Sequence, residues 1–402
     1  MRICCVDRGT ISFVATEPLS RIDAQVDLIS QGLAEQGHTV TLVCFSAKGP
    51  LARHYTIHQI QYFTWLERHQ ELAVIYFALR ASVWLFRNKA KFDVIHFQGA
   101  YVTAFFFSFL CVFEHGPPRT IAHAPPSSDT PRTSTILPRE WYTPIIGRMA
   151  IRLMLKRAFD SCSRVIVINT KSMMQLSHYF GNQRKMRIIQ FTLVDTHLFA
   201  PNNTFPPESD TFEVLCVARV QPRKNQLAIL KAAALTVGDS VRFTFVGPDS
   251  PTYRKELELF SKQTNIQDRV RFVGYVPSYH ALSRYFSHAA LYVLLSESES
   301  GIPTTIAQAL SSGLPIILSN IFSKEVILRE AGAEFVNPEV SKDIADLIIR
   351  YQKSAVLLES KRSLARKVAV KYFDYWRVAS SIYVILEDAM KDNSQHVSRH
   401  IP

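Results

Sequence analysis

Residues 214–226 read VLCVARVQPRKNQ, and the order of residue types in this stretch decides the fold. Four apolar residues make a strand buried on both faces. A short polar loop carries Arg219 and Lys224, and a helical pattern opens at Gln226. Strand, loop and helix in that order make the first half of a parallel crossover unit. Arg219 and Lys224 would then sit at the carboxyl end of a strand, beside a helix N-terminus. A guanidinium grips two oxygens, an ammonium is a point charge, and a helix N-terminus favours anions, so this is a place for a diphosphate. With Arg223 in the same loop, a solvated basic turn is the competing reading.

Working outward, the cycle repeats. Strands are expected at 212–217, 242–247, 270–273, 290–295 and 315–319, with helices at 226–234, 253–263, 278–286 and 305–311. Residues 340–390 read as helix throughout. Upstream, 200–211 is APNNTFPPESDT, with three prolines, and reads as a linker. Before it lies a second α/β set: strands 1–7, 39–45, 92–97, 119–123 and 164–169, a helix at 24–36 stopped by Gly37, and another helix from about Ser172. The fold class is therefore α/β with two Rossmann-like domains facing a cleft. The expected limits are 1–200, 207–370, a terminal helix 371–390 and a polar tail 391–402. Ligands of such open sheets bind beyond the carboxyl ends of the strands.

A second segment, LYVLLSESESGIPTTIAQALSSGLPIILS at 291–319, places a polar loop after a buried strand. Backbone amides from Gly301 through Ile302, Pro303 and Thr304 to Thr305 would serve sugar hydroxyls or phosphate oxygens. Gln308 fits either a ligand contact or a capping box with Thr305.

The two segments, separated by VRFVGYV at 270–276, resemble the C-terminal domain of the retaining glycosyltransferases of family four, which have the GT-B fold. GHTVTLV at 37–43, DVIH at 93–96, Val194-Asp195 with Phe199, and residues 373–390 are similar to other parts of that family. The resemblance implies transfer of a sugar from a nucleotide diphosphate sugar to a glycan or lipid-linked acceptor, in surface polysaccharide or glycolipid synthesis. It implies that Arg219 and Lys224 neutralise the leaving diphosphate and that His123 touches the donor sugar. No cofactor and no metal are expected, the nucleotide sugar being a substrate.

Departures from the family pattern are specific. Ser300 and Gln308 stand where the family has carboxylates. Gln308 would still serve ribose hydroxyls, and Glu299, next to Ser300, is the substitute for the first carboxylate. TEPLSRI at 16–22 lacks the family's Gly-Gly loop, and Thr192-Leu193 replaces Asn-Gly. A catalytically inactive nucleotide-sugar-binding protein is the rival reading. Asp195 reads as structural.

Composition bounds the rest. The 402 residues carry a net charge of +12, which suits a polyanionic partner. No nucleic-acid-binding motif accompanies that charge, so no nucleic-acid partner is expected. The apolar runs at 74–86 and 101–113 are too short for a bilayer span, and the N-terminus lacks a signal-peptide core, so a cytoplasmic location is expected. In residues 145–158, IIGRMAIRLMLKRA, Arg148, Arg152 and Lys156 share a helix face beside Ile145, Met149 and Leu153. That pattern fits a peripheral contact with an anionic membrane on the inner face of the plasma membrane, or a solvated basic face. The six cysteines have no metal-ligand spacing and read as buried thiols.

Overall fold

The computed structural model describes residues 1–7, 13–14, 17–18, 24–45, 54–61, 63, 66, 70–111, 119–123, 146–168, 173–174, 176–177, 183–189, 192–201, 211–236, 240–299 and 301–391. The chain forms two compact units, one of residues 1–191 with 375–402 and one of residues 192–374. The helix start near Ser172, the segment 16–22 apart from its two-residue strand 17–18, and most of the proline-rich stretch 200–211 lie outside the described residues.

Among the described residues, the main sheet of the first unit has seven strands: β1 (Arg2–Asp7), β2 (Thr39–Phe45), β3 (Thr56–Ile60), β4 (Val94–Gln98), β5 (Arg119–His123), β6 (Arg164–Val167) and β7 (Met186–Ile188). They form one sheet in the order 3-2-1-4-5-6-7, and every pairing is parallel. β1 is buried at every residue but its first, as expected of a central parallel strand. Its helices are α1 (Ala24–Glu35), α2 (Gln70–Asn88), α3 (Tyr101–Leu110) and α4 (Ile146–Ser161). Residues 74–86 and 101–110 of the two long apolar runs are therefore helical. On α1, Val26, Ile29 and Leu33 are buried, and Gly37 ends the turn at φ +84°.

The second unit holds β8 (Phe212–Val217), α5 (Gln226–Ala233), β9 (Val241–Val246), α6 (Pro251–Gln263), β10 (Val270–Gly274), α7 (Tyr279–His288), β11 (Leu291–Leu294), α8 (Thr304–Ser311), β12 (Ile316–Ser319), α9 (Val326–Glu330), β13 (Glu334–Val336), α10 (Ser341–Lys353) and α11 (Ala355–Tyr372). Its parallel sheet runs 10-9-8-11-12-13, the doubly wound order repeated. The expected helical stretch after 340 breaks at Ser354, whose hydroxyl caps α11 by accepting from Leu357 N. Residues 192–199 already belong to this unit, ahead of the proline-rich stretch. Val194 N donates to Phe373 O at 2.8 Å, Thr196 Oγ1 donates to Asp374 at 2.5 Å, and Arg366 donates to the carbonyls of Thr196 and Phe199.

The last helix, α12 (Tyr375–Lys391), returns to the first unit and packs along α1. The approach is close because Gly32 has no side chain; a Cβ there would lie 2.7 Å from Ala379 Cβ. Tyr375 donates its hydroxyl to Glu35, and His38 stacks on Tyr383 at 4.3 Å. Arg164 and Arg187 both pair with Asp388. All six cysteines are buried and none forms a disulfide, and burial pushes the Cys216 thiol up to about 12.

Candidate functional site

The loop after β8 is fixed by backbone geometry before any side chain acts. Val220 N donates to Pro248 O and Ser250 N donates to Val220 O, each at 2.9 Å, so residues 218–221 run beside the loop that follows β9. Gly247 makes this approach feasible at φ +145°; a Cβ there would sit 2.1 Å from Ala218 O. Gln226, fully buried, donates its amide to Arg219 O at 3.0 Å and leaves its Oε1 without a partner. The Arg219 backbone is thus held while its side chain stays exposed, with no ion pair among the described residues. Asn225 takes a left-handed turn (φ 50°) into α5, whose N-terminus has no side-chain cap.

The same loop is tied to the one after β11. Lys224 Nζ pairs with a Glu299 carboxylate oxygen, and both side chains are only 11% exposed. Arg223 pairs with the other oxygen at 3.2 Å and donates to Ser298 O at 2.6 Å. Glu297 N donates to Arg223 O at 2.9 Å. Sequence reasoning placed Arg219, Lys224 and Glu299 in one site. The fold brings the latter two into direct contact, with Arg223 as a third member that had been read as part of a basic loop.

Residues 301–308 are anchored from below. The Thr192 hydroxyl donates to Ile302 O at 2.6 Å. The buried Tyr292 hydroxyl lies 2.8 Å from Thr305 Oγ1 and 3.2 Å from Val217 O, which joins the ends of β8 and α8. Burial pushes the Tyr292 hydroxyl well above its ordinary pKa, so it stays protonated as a linker. The capping box is not formed. The helix opens at Thr304 after Pro303, without a side-chain cap, so Gln308 falls in its second turn. Gln308 is 3% exposed and its Oε1 is buried with no partner. Pro303 has no N–H, so a phosphate could use the amides of Gly301, Ile302, Thr304 and Thr305 only. Ser300 lies outside the described residues.

In the first unit, His123 closes β5, and its side chain lies outside the described residues. Asp7 and Gln98 face each other in register at the carboxyl ends of β1 and β4, both buried. Gln98 Oε1 has no partner, and its amide sits 3.4 Å from His96 Nδ1. Complete burial holds His96 down at about 3, so it is neutral. Asp195 accepts from His197 N and Leu198 N, which makes it structural, as read from the sequence. Sequence reasoning missed Gln226, Tyr292, Asp7 and Gln98. The available signal was position, since each lies on or beside a strand of its own unit's sheet. Thr192 had been noted only as a departure.

In α4, Lys156 pairs with Asp160 at 2.8 Å, which spends part of the expected basic face. Leu153 is exposed on the same helix, whereas Ile145 and the Arg148, Met149 and Arg152 side chains lie outside the described residues. No helix among the described residues is long and apolar enough to cross a membrane.

Two doubly wound units with charged loops at the strand ends of the second define a class. The chain matches the family Glycosyl transferases group 1 over residues 202–368 and Glycosyltransferase Family 4 over residues 24–191. It belongs to the group 1 glycosyltransferases with the GT-B fold. Among individual proteins, it is similar to EpsF of Bacillus subtilis, a provisionally assigned glycosyltransferase, at 31% identity over 33% of this chain and 36% of EpsF. It is also similar to TuaC of the same organism, provisionally assigned to teichuronic acid biosynthesis, at 28% identity over 33% of this chain and 31% of TuaC. The match thus spans about a third of the length of these curated relatives. Among solved structures, Anabaena HepE in complex with UDP superposes with a TM-score of 0.68 at 16% identity, over 96% of this chain and all of HepE.

Proposed function

We propose that the chain transfers a sugar from a nucleotide diphosphate sugar to a glycan or lipid-linked acceptor, with retention of configuration, in surface polysaccharide or glycolipid synthesis. The observation that carries this is the tied pair of loops. An exposed Arg219 and a nearly buried Lys224 stand at the carboxyl end of β8, beside the uncapped N-terminus of α5. When the bond from the anomeric carbon to the diphosphate oxygen breaks, its electron pair stays on the phosphate. Cations already in place stabilise that charge most when it is fully developed, without need of a metal. Glu299 neutralises Lys224 until a diphosphate competes for it, and is then released to sugar hydroxyls. The amides of Gly301, Ile302, Thr304 and Thr305 hold phosphate or sugar, Gln308 takes the ribose, and His123 takes the donor sugar. The first unit receives the acceptor, with Asp7 and Gln98 at its strand ends. The complexes of HepE with UDP and with UDP-glucose support a uridine donor as the first to try.

The test is turnover of labelled UDP-glucose and other donors over an acceptor panel. Turnover that vanishes in Arg219→Ala supports the enzyme. A rival reading, a nucleotide-sugar-binding protein without activity, is favoured by Ser300 and Gln308 in place of carboxylates; tight binding without turnover of any donor would support it.

A cytoplasmic chain that docks on the inner face of the plasma membrane completes the reading. Leu79 and Val83 of α2, Phe109 and Leu110 of α3 and Leu153 of α4 are exposed. Arg157 lies 5.3 Å from the centre of the Phe109 ring. Apolar side chains flanked by cations suit an anionic leaflet. Co-sedimentation with phosphatidylglycerol vesicles, lost on Phe109→Ser with Leu153→Ser, tests it.

A further inference from the structure

The second unit carries another polar recess, at the opposite ends of its strands from the loops just described. A cavity of about 620 Å³ opens over the amino-terminal halves of β8, β9 and β10 and is walled on one side by α7. Glu213, Arg242 and Arg271 are each the second residue of their strands. Along β8, Glu213 to Ala218 spans about 16 Å at a rise of about 3.3 Å per residue, so the recess is separate from the diphosphate loops. Register fixes its floor. Glu213 lies opposite Arg242, and Thr244 lies opposite Arg271, all on one face of the sheet.

The charges there do not cancel. Four arginines, Arg242, Arg269, Arg271 and Arg284, stand against two carboxylates, Glu213 and Asp268. Only Arg269 is spent internally, on the carbonyls of Ala233 and Thr236. Arg242, Arg271 and Arg284 are exposed, with no ion pair among the described residues, although Glu213 is one register step from Arg242. Glu213 is bonded to Thr244 and keeps Oε1 buried without a partner. A protein normally satisfies such an atom, and an orphan in a polar recess marks a donor supplied from outside.

We infer that this recess binds a hydroxylated phosphomonoester. Its dianion answers the excess of two positive charges, and one of its hydroxyls donates to Glu213 Oε1. The volume suits a pentose or hexose phosphate. The site is a second, non-donor site in the same unit, and its existence does not depend on the transfer reaction.

Titration calorimetry with ribose 5-phosphate and with inorganic phosphate tests it on the full chain. Wild type and Arg219→Ala should each bind one ribose 5-phosphate with equal affinity. Arg242→Gln with Arg271→Gln, both on exposed side chains, should weaken it by about 30-fold or more, since each removes a charge-assisted bond. Glu213→Leu should lower the ratio of ribose 5-phosphate to phosphate affinity about tenfold, the worth of one hydrogen bond to a charged acceptor. The inference is overturned if folded wild type, checked by circular dichroism, binds no ribose 5-phosphate at millimolar concentration. It is equally overturned if binding vanishes in Arg219→Ala and survives Arg242→Gln with Arg271→Gln. Retained ribose 5-phosphate binding with no donor turnover would instead count against the transferase reading alone.

Discussion

The two units are wound in the same strand order, yet their strand ends are built from opposite chemistry. In the first unit, the carboxyl ends of β1 and β4 hold Asp7 and Gln98, with a neutral His96 two residues before Gln98, all buried. In the second, the ends of β8 and β11 present Arg219, Arg223 and Lys224 with a single Glu299 between the last two. In the proposed reaction, the first set would align a hydroxyl and the second would accept negative charge. Fold alone therefore does not assign the roles; the side chains at equivalent positions do.

The contrast is broken most severely at Gly247. A side chain there collides with Ala218 O, and the φ of +145° is strained for any other residue. Gly247→Ala should abolish donor turnover and lower the unfolding temperature of the chain, read by calorimetry; unchanged melting would mean that the two loops do not touch. Next comes Arg219→Ala, expected to cost about 10²–10³ in kcat, the scale for losing one donor to a developing oxyanion. The equivalent change in the first unit, Gln98→Ala, should raise the KM for acceptor about tenfold and leave donor hydrolysis intact, which steady-state kinetics with both substrates would separate. Glu299→Gln should tighten UDP binding a few-fold by freeing Lys224 from its counter-charge, while turnover falls.

A pH experiment sharpens the same comparison at smaller amplitude. His96 has a folded pKa of about 3 against an ordinary 6.5, because burial disfavours its charged form. Its unfolded form binds the extra proton, so its contribution is complete above about pH 6.5 and is lost as pH falls toward 3. Denaturant unfolding of His96→Asn should show a flatter acid limb than wild type between pH 6 and 4. Superimposable limbs would mean that His96 is not held neutral.

Much of this was legible in the chain. Central parallel strands announce themselves as unbroken apolar runs, so β1, β8, β9 and β11 were readable. The strands β3, β7 and β13 were not. Each lies at a sheet edge, is short, and carries polar residues such as His58, Gln59, Arg187 and Glu334, so no run stands out. Arg219 and Lys224 were readable because strand, loop and helix lie in one contiguous stretch. The clamp by Glu299 was not, since it joins residues 75 apart. Thr305 and Gln308 have capping-box spacing, but the Thr305 hydroxyl is committed to Tyr292 and the helix starts after Pro303.

The most direct measurement is calorimetric titration of UDP and UMP into wild type, Arg219→Ala and Lys224→Ala. If these cations hold the leaving diphosphate, both variants lose UDP affinity about 100-fold and UMP affinity far less, because the β-phosphate carries the contact. Equal UDP affinity in all three proteins would contradict the account.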